Sequence, residues 1–195
     1  MAHGFDKATD NEISSRTVAV IGDSTFLHTG VNGLINSVYN NGQSTIIILD
    51  NSITGMTGHQ QNPSTGFDIR GNEVPSVNLE ALCKAIGVPS VKIVDPADTF
   101  VTQKIIAEEM KKKCISVIIA VRPCALIPSG RCKDNIRAVV DIAKCRKCYA
   151  CLRTMCPALS KDENGNVIVD KTACNGCSLC EKMCKFESMK IKEDI

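Results

Sequence analysis

The sequence contains no Trp, and Tyr and Phe together bring aromatics to only 4% of its 195 residues. It also lacks long apolar stretches: no purely apolar run exceeds five residues, as in Val117 to Val121. That length excludes a membrane-spanning helix, which needs about 20 such residues. The N-terminus, Met1-Ala2-His3-Gly4-Phe5-Asp6-Lys7, has no apolar segment of the secretory kind. Charge of one sign is missing as well. The net charge is +2, with 14 Lys/Arg against 14 Asp/Glu in residues 1–144 and 9 against 7 in residues 145–195. A nucleic-acid partner would call for a basic face, and none is offered. The remaining composition, 44% apolar and 23% charged, suits a soluble globular chain and excludes a generally disordered one. The length lies between one and two average domains.

What the sequence does have is cysteine. There are 12, and eight fall between Cys145 and Cys184. Without an export signal the expected compartment is the cytoplasm, where thiols stay reduced. A clustered set there reads as metal-binding rather than as disulfides. The chain accordingly divides into an α/β domain over residues 1–135 and a small α+β cysteine-rich domain over residues 136–195.

The tail repeats itself. Val140-Asp141-x-x-x-Cys145 aligns with Val169-Asp170-x-x-x-Cys174 at an offset of 29 residues. Cys148 and Cys151 map onto Cys177 and Cys180 at the same offset, and Cys156 maps onto Cys184 with a slip of one. Each copy reads as a short strand, a cysteine loop and a helical turn, with the polar stretch 161–166 as a turn between copies. The spacings Cys145-x2-Cys148-x2-Cys151-x4-Cys156 and Cys174-x2-Cys177-x2-Cys180-x3-Cys184 suit cubane iron–sulfur clusters. A pair of zinc sites is the alternative, but zinc usually joins two Cys-x2-Cys knuckles over a longer spacer. The pattern resembles bacterial-type two-cluster ferredoxins, in which the fourth Cys ligates the other cluster. By that rule cluster one takes Cys145, Cys148, Cys151 and Cys184, and cluster two takes Cys174, Cys177, Cys180 and Cys156. Gly176 would leave backbone open toward a cluster. Lys185 stands where the ferredoxin pattern has Pro, and its charge is expected to raise the nearby potential slightly.

In the first domain, 17–21 and 45–49 read as buried parallel strands, followed by strands at 91–94 and 115–121. Helical spacing occupies 28–40, 79–86 and 100–113. Such alternation predicts a parallel sheet with covered faces. Open α/β sheets bind ligands beyond their strand C-termini. Asp23 and Asn51 stand at two such ends, 28 residues apart. A carboxylate and an amide oxygen are hard ligands suited to Mg²⁺. Gly22 lets a phosphate approach, and the helix after Ser24 turns its positive end toward it.

Gly22-Asp23-Ser24 and Asp50-Asn51 resemble the Gly-Asp-Gly and Asn-Asn elements of thiamine diphosphate enzymes, with Ser and Asp as departures. The longer stretches Gly22 to Gly30 and Leu49 to Gln60 resemble the large (alpha) subunit of indolepyruvate:ferredoxin oxidoreductases. In that family a thiamine diphosphate-binding domain precedes a two-cluster ferredoxin domain, and the likeness covers nearly the whole chain. It implies oxidative decarboxylation of aryl 2-oxoacids such as indolepyruvate to the acyl-CoA, with electrons leaving through two 4Fe–4S clusters to ferredoxin. It also implies that Asp23, Asn51 and the backbone carbonyl of Ile53 hold Mg²⁺. Gly22, Ser24 and Thr54 would line the diphosphate. His28 and His59 become candidates for contacts to cofactor or substrate, or else hydrogen-bonded structural histidines. Met56 suits the core, and Asn62-Pro63-Ser64-Thr65-Gly66 reads as an active-site loop or a surface turn.

Thiamine enzymes activate the cofactor with a Glu on a separate pyrimidine-binding domain, and the sixteen residues before Thr17 leave no room for one. The expectation is a C-terminal piece or split subunit without turnover of its own. It would need a chain carrying that domain, a small (beta) subunit, ferredoxin, coenzyme A and the 2-oxoacid, and neither nucleic acid nor membrane. Two alternatives stay open: an electron-transfer protein with a docking α/β domain, or a relative acting on another 2-oxoacid. Cys83, Cys114, Cys124 and Cys132 read as structural, with Cys124 alone a candidate to face a cofactor. Lys111-Lys112-Lys113 reads as a solvated helix end.

Overall fold

A computed structural model describes residues 1–127 and 136–193. Cys132 and the expected boundary at 135 lie outside the described residues. Contacts divide the chain into two units, Met1–Cys124 and Ala125–Ile195.

The first unit is built on four parallel strands: β1 (Val18–Gly22), β2 (Thr45–Asp50), β3 (Ser90–Val94) and β4 (Ser116–Val121). Their order is β1-β2-β4-β3. Val18 pairs with Thr45, and Thr45 and Ser90 both pair with Ser116. After a lead-in helix, α1 (Ala2–Ala8), β1 feeds a continuous helical run. It comprises α2 (Asp23–Thr25), a π turn (Phe26–Gly30) and α3 (Val31–Tyr39). A Cβ at Gly30 would lie 2.6 Å from Ile21 Cδ1, so the π turn packs closely against β1. α4 (Leu79–Ile86) starts where Asn78 Oδ1 accepts the Ala81 N–H at 2.9 Å, and stops at Gly87, whose φ is +97°. α5 (Thr99–Glu109) starts at Asp98, whose carboxylate accepts the Val101 N–H at 3.3 Å.

One sheet face buries Ile48, Val117 and Ile119 under Phe26, Leu34, Leu79 and Cys83. The other packs Val94, Ile118 and Ala120 against Ile105 and Ile106 of α5. β4 is buried along its length because it has a strand on either side and helices on both faces. Four expectations need correction here. The run 17–21 is not a buried strand: β1 is a sheet edge, with Val20 61% exposed, and Leu49 beside it is 46% exposed. The sheet is therefore not covered on both faces there. A β-rich apolar run reads the same at an edge as in the middle, since periodicity carries no neighbour count. The helix expected over 100–113 stops at Glu109, after which Lys111 and Lys112 donate to carbonyls three residues back. Buried Glu109 draws Lys112 inward at 2.8 Å, and Lys112 also meets Ser90 Oγ at 2.9 Å, so this lysine is not merely solvated.

The second unit contains β5 (Ile136–Val140), a 3₁₀ turn (Ala150–Thr154), β6 (Leu159–Lys161), β7 (Val167–Val169), α6 (Leu179–Met183) and β8 (Met189–Glu193). β5 pairs antiparallel with β8, and β6 with β7. Each copy thus delivers a strand, a cysteine loop, a helical turn and a second strand. A small core gathers Ala138, Cys151, Val167, Cys180 and Met189. Between the copies Asp162 Oδ1 accepts the N–H groups of Asn164 and Asn166 at 2.9 and 2.7 Å, closing the β6–β7 turn. The Tyr149 hydroxyl ties the first copy to that turn by donating to the Gly165 carbonyl at 3.1 Å. No described helix is long and apolar enough to cross a membrane.

Candidate functional site

Two clusters of candidate residues emerge, one in each unit. The first lies beyond the C-terminal ends of β1 and β2, where parallel pairing sets the two strand exits side by side: Gly22 faces Leu49. Asp23 is the first residue of the helical run and is buried at 2% exposure. Its Oδ2 accepts the Asn62 amide at 3.1 Å and lies 3.5 Å from Ser64 Oγ. Asn62 is itself buried, and its Oδ1 accepts the Ser64 N–H at 2.9 Å and the Ser64 hydroxyl at 2.7 Å. The Thr54 hydroxyl donates to Ser24 Oγ at 3.0 Å. Asn51 Oδ1 accepts the Ile53 N–H at 3.3 Å, and Asp50 Oδ1 accepts the Ser52 N–H at 3.0 Å. Ser52 turns the chain with a φ of +58°. The Asn51 carbonyl accepts the Cys124 N–H at 2.9 Å, so the chain leaving β4 is pinned to the same turn.

Burial pushes the Asp50 carboxyl above its ordinary value, the Ser52 N–H opposes this, and the nearby charge of Asp23 adds to the rise. Gly22 has a φ of −75°, open to any residue, and a Cβ there would meet nothing within 4 Å. The helix start at Gly22 has no side-chain cap, so no side chain of this chain satisfies its first N–H groups there. His28 and His59 are both exposed. His59 joins the site loop only through its backbone, whose N–H donates to the Thr54 carbonyl at 3.1 Å. Met56 is fully exposed rather than in the core. In the sequence Asn62 and Ser64 read as part of an active-site loop or a surface turn, and no sequence pattern marks an amide for a carboxylate 39 residues earlier.

The second cluster is the cysteines. None of the eleven described cysteines is joined in a disulfide. Cys83 is fully buried in the sheet core, and burial pushes its thiol up to about 11. In the repeat, Asp141 and Asp170 do the same work. Asp141 Oδ1 accepts the Ala143 and Lys144 N–H groups at 3.1 and 3.3 Å, and its carbonyl accepts the Cys145 N–H at 3.1 Å. Asp170 Oδ1 accepts Thr172 and Ala173 at 2.8 and 3.4 Å, and its carbonyl accepts the Cys174 N–H at 3.0 Å. This turn is the reason each copy keeps Val-Asp before its first cysteine. The residues flanking each middle cysteine are left-handed: Lys147 and Tyr149 at φ +51° and +56°, Gly176 and Ser178 at +69° and +65°. Those φ values turn the chain sharply on either side of Cys148 and Cys177. A Cβ at Gly176 would also strike the Ile136 carbonyl at 2.7 Å, so that position demands glycine for space as well as for φ.

Cys156, Cys174, Cys177 and Cys180 line one cavity of about 290 Å³, together with Ala138 and Ile191. That is far more than the roughly 30 Å³ share of a single water. Burial pushes Cys180 up to about 11, with Cys177 and Cys174 adding to the rise. Burial likewise raises Cys151, which lies within electrostatic reach of Cys184 and Cys145. The Ala138 N–H donates to Cys174 Sγ at 3.4 Å. Cys148 is exposed. Burial works to raise the Cys184 thiol, but hydrogen bonds from the Ser188 hydroxyl and the backbone of Phe186, Met189 and Ser188 outweigh it, so it lies below the ordinary thiol value. Among the described residues, no group of three or more His, Cys, Asp or Glu is gathered tightly enough for a single metal ion.

Comparison with known proteins places these features in a family. Residues 1–120 match the model of the thiamine pyrophosphate enzyme C-terminal TPP binding domain. The chain is 35% identical over 190 residues to indolepyruvate oxidoreductase subunit IorA of Archaeoglobus fulgidus, covering 96% of this chain and 30% of that subunit. It is also 38% identical over 63 residues to pyruvate synthase subunit PorD of Methanocaldococcus jannaschii, 31% of this chain and 72% of that one. In fold it is similar to a 2-oxoglutarate:ferredoxin oxidoreductase from Magnetococcus marinus, with a TM-score of 0.54 at 17% identity over 63% of this chain and 43% of that one. The chain spans about three tenths of the length of the IorA subunits it matches. It belongs to the thiamine pyrophosphate enzyme family, carries that family's C-terminal TPP binding domain, and within the family resembles the IorA subunits.

Proposed function

We propose that this chain supplies the diphosphate-holding and electron-exit portions of a 2-oxoacid:ferredoxin oxidoreductase acting on aryl 2-oxoacids such as indolepyruvate. The observation that carries the reading is Cys156 of the first repeat lining one cavity with Cys174, Cys177 and Cys180 of the second. A fourth ligand crossing between repeats is what two 4Fe–4S clusters require. The complementary set, Cys145, Cys148, Cys151 and Cys184, would hold the other cluster, and Cys151 already senses Cys145 and Cys184.

At the sheet edge the residues present fit thiamine diphosphate with Mg²⁺. The donors are all hard oxygens: the Asp23 carboxylate, the Asn51 amide and the Ile53 carbonyl. The open space at Gly22 and the uncapped N–H groups beyond it suit a diphosphate, with Ser24 and Thr54 beside them. When bound, the cofactor supplies the carbanion stabilisation needed for CO₂ to leave a 2-oxoacid. The chain's own residues bind and orient: Asp23 brings negative charge to the cation, Asn62 and Ser64 hold that carboxylate, and Thr54 with Ser24 fixes the turn. The exposed positions of His28 and His59 leave them to act on substrate only where another chain closes over them. Two electrons leave the substrate as CO₂ is released and the thioester with coenzyme A forms, and the clusters carry them to ferredoxin.

The site as described lacks a Glu for the pyrimidine ring, so the active species would include a chain carrying the pyrimidine-binding domain and a small subunit. The test is anaerobic purification with iron and sulfide analysis, then assay with that chain. The expected result is about eight iron and eight sulfide per chain and ferredoxin reduction dependent on indolepyruvate, coenzyme A and the added chain. Zinc in place of iron, or indolepyruvate turnover by this chain alone, would refute the proposal.

A further inference from the structure

The two halves of the cysteine unit differ at one internally matched position. In the first half, the Ala158 carbonyl accepts the Asp170 N–H at 2.8 Å, just before β6 begins. In the second half, the Ser188 carbonyl accepts the Asp141 N–H at 2.7 Å, just before β8 begins. Ala158 and Ser188 are thus structural counterparts, and both are buried, at 2% and 5% exposure. Ala158 follows Cys156 and carries no polar atom on its side chain. Ser188 follows Cys184, and its Oγ lies 3.1 Å from Cys184 Sγ.

We infer that the Ser188 hydroxyl tunes the cluster held by Cys145, Cys148, Cys151 and Cys184, setting it apart from its twin. The inference rests on the two-cluster reading above. A cysteine bound to iron is a thiolate and has no proton to give. In that state only the Ser188 O–H can donate across the 3.1 Å contact. The donor does not wander, because the Ser188 backbone is fixed by its bond to Asp141 and the residue is packed away from water. A hydrogen bond to a ligand sulfur withdraws electron density and favours the reduced, more negative cluster. Burial strengthens the effect, since little solvent screens it. The matching position in the other half is Ala158, which has no hydroxyl to offer Cys156. The hydroxyl therefore acts on one cluster only and raises its potential. Ser188 is a positioning and tuning residue, not a cluster ligand.

The test uses the full chain with clusters reconstituted anaerobically from iron and sulfide, titrated electrochemically and followed by EPR. Ser188→Ala is expected to fold, because Ala158 already occupies the matching position. One of the two couples should fall by about tenfold in its reduced-to-oxidised ratio at a given potential, about 59 mV for a one-electron couple. The other couple should stay in place. The reciprocal Ala158→Ser should raise the couple that Ser188→Ala leaves unmoved. Full iron and sulfide with both couples unchanged in Ser188→Ala, or both shifted equally, would overturn the inference while leaving the two-cluster reading intact. Wild-type chain that takes up no iron and sulfide would overturn both.

Discussion

Asp23 is legible as a candidate because a Gly-Asp pair ends an apolar run and opens a helix. What holds Asp23 in place is not legible. The Asn62 amide reaches it from a loop 39 residues away, and Asn62 is 6% exposed despite flanking a proline. Nothing local to Asn62 announces this, since amides in Asn-Pro turns usually face water. Side chains that orient a metal ligand typically matter by 10–100-fold in affinity. Asn62→Ala should therefore weaken Mg²⁺ binding by at least tenfold in calorimetry with thiamine diphosphate and the partner chain present, while its urea midpoint changes little. Mg²⁺ affinity equal to wild type would show that the Asn62 contact only packs the loop. Asp50, by contrast, was visible as a departure from the Asn-Asn element. The structure makes it a turn-former whose carboxyl is pushed up by burial and by Asp23.

At the scale of elements, strands β1 to β4 and helix α4 follow from apolar runs and helical spacing, and the structure adds that Asn78 caps α4 and Gly87 stops it. The exposed edge of β1 and the early end of α5 depend on neighbours and escape the pattern. Helix α1 is a further case. It carries few apolar residues, and its one buried side chain is a carboxylate. Asp6 is fully buried and accepts the N–H groups of Gln43 and Ser44 and the Ser14 hydroxyl at 3.0–3.1 Å. Burial works to raise the Asp6 carboxyl, but these hydrogen bonds outweigh it and hold it below the ordinary value. A lowered folded-state value means the unfolded chain takes up the proton first. The stabilisation is then complete above about pH 4 and is lost as the pH falls through the folded value. Asp6→Asn should unfold at lower urea than wild type at pH 7, by roughly 1–3 kcal/mol. The gap should close as both are taken below pH 4. A gap that stays constant with pH would contradict this account.

For the whole molecule, the division into two units and the duplication of the second are written in the cysteine spacing. How the repeats interlock is not. β5 pairs with β8 and β6 with β7, so the first strand of the unit closes on its last. The β6–β7 pair, which begins just after Cys156, leaves that cysteine lining one cavity with the second repeat's Cys174, Cys177 and Cys180. The cysteine unit's core is small, with five buried residues of which two are cysteines. Units of this size usually need metal or crosslinks to stay folded. The sheet unit has its own larger core of Phe26, Leu34, Ile48, Leu79 and their neighbours. Stripping iron with a chelator under mild oxidation should abolish the cooperative transition of the cysteine unit in calorimetry. The transition of the sheet unit should keep its temperature. If the iron-free chain kept both transitions, the clusters would not be what holds the second unit together.

By itself the sequence determined most of the alternation of strand and helix, the repeat, the eight spaced thiols and the candidate oxygen donors at two strand ends. These are local or periodic properties, set by side-chain polarity and backbone preference over a few residues. Only the tertiary structure decided that β1 is an edge, that Asn62 grips Asp23, that Cys156 lines one cavity with Cys174, Cys177 and Cys180, and that the Ser188 hydroxyl meets the Cys184 sulfur. Each of these depends on segments distant in sequence meeting through burial and hydrogen bonding, which pattern along the chain does not record.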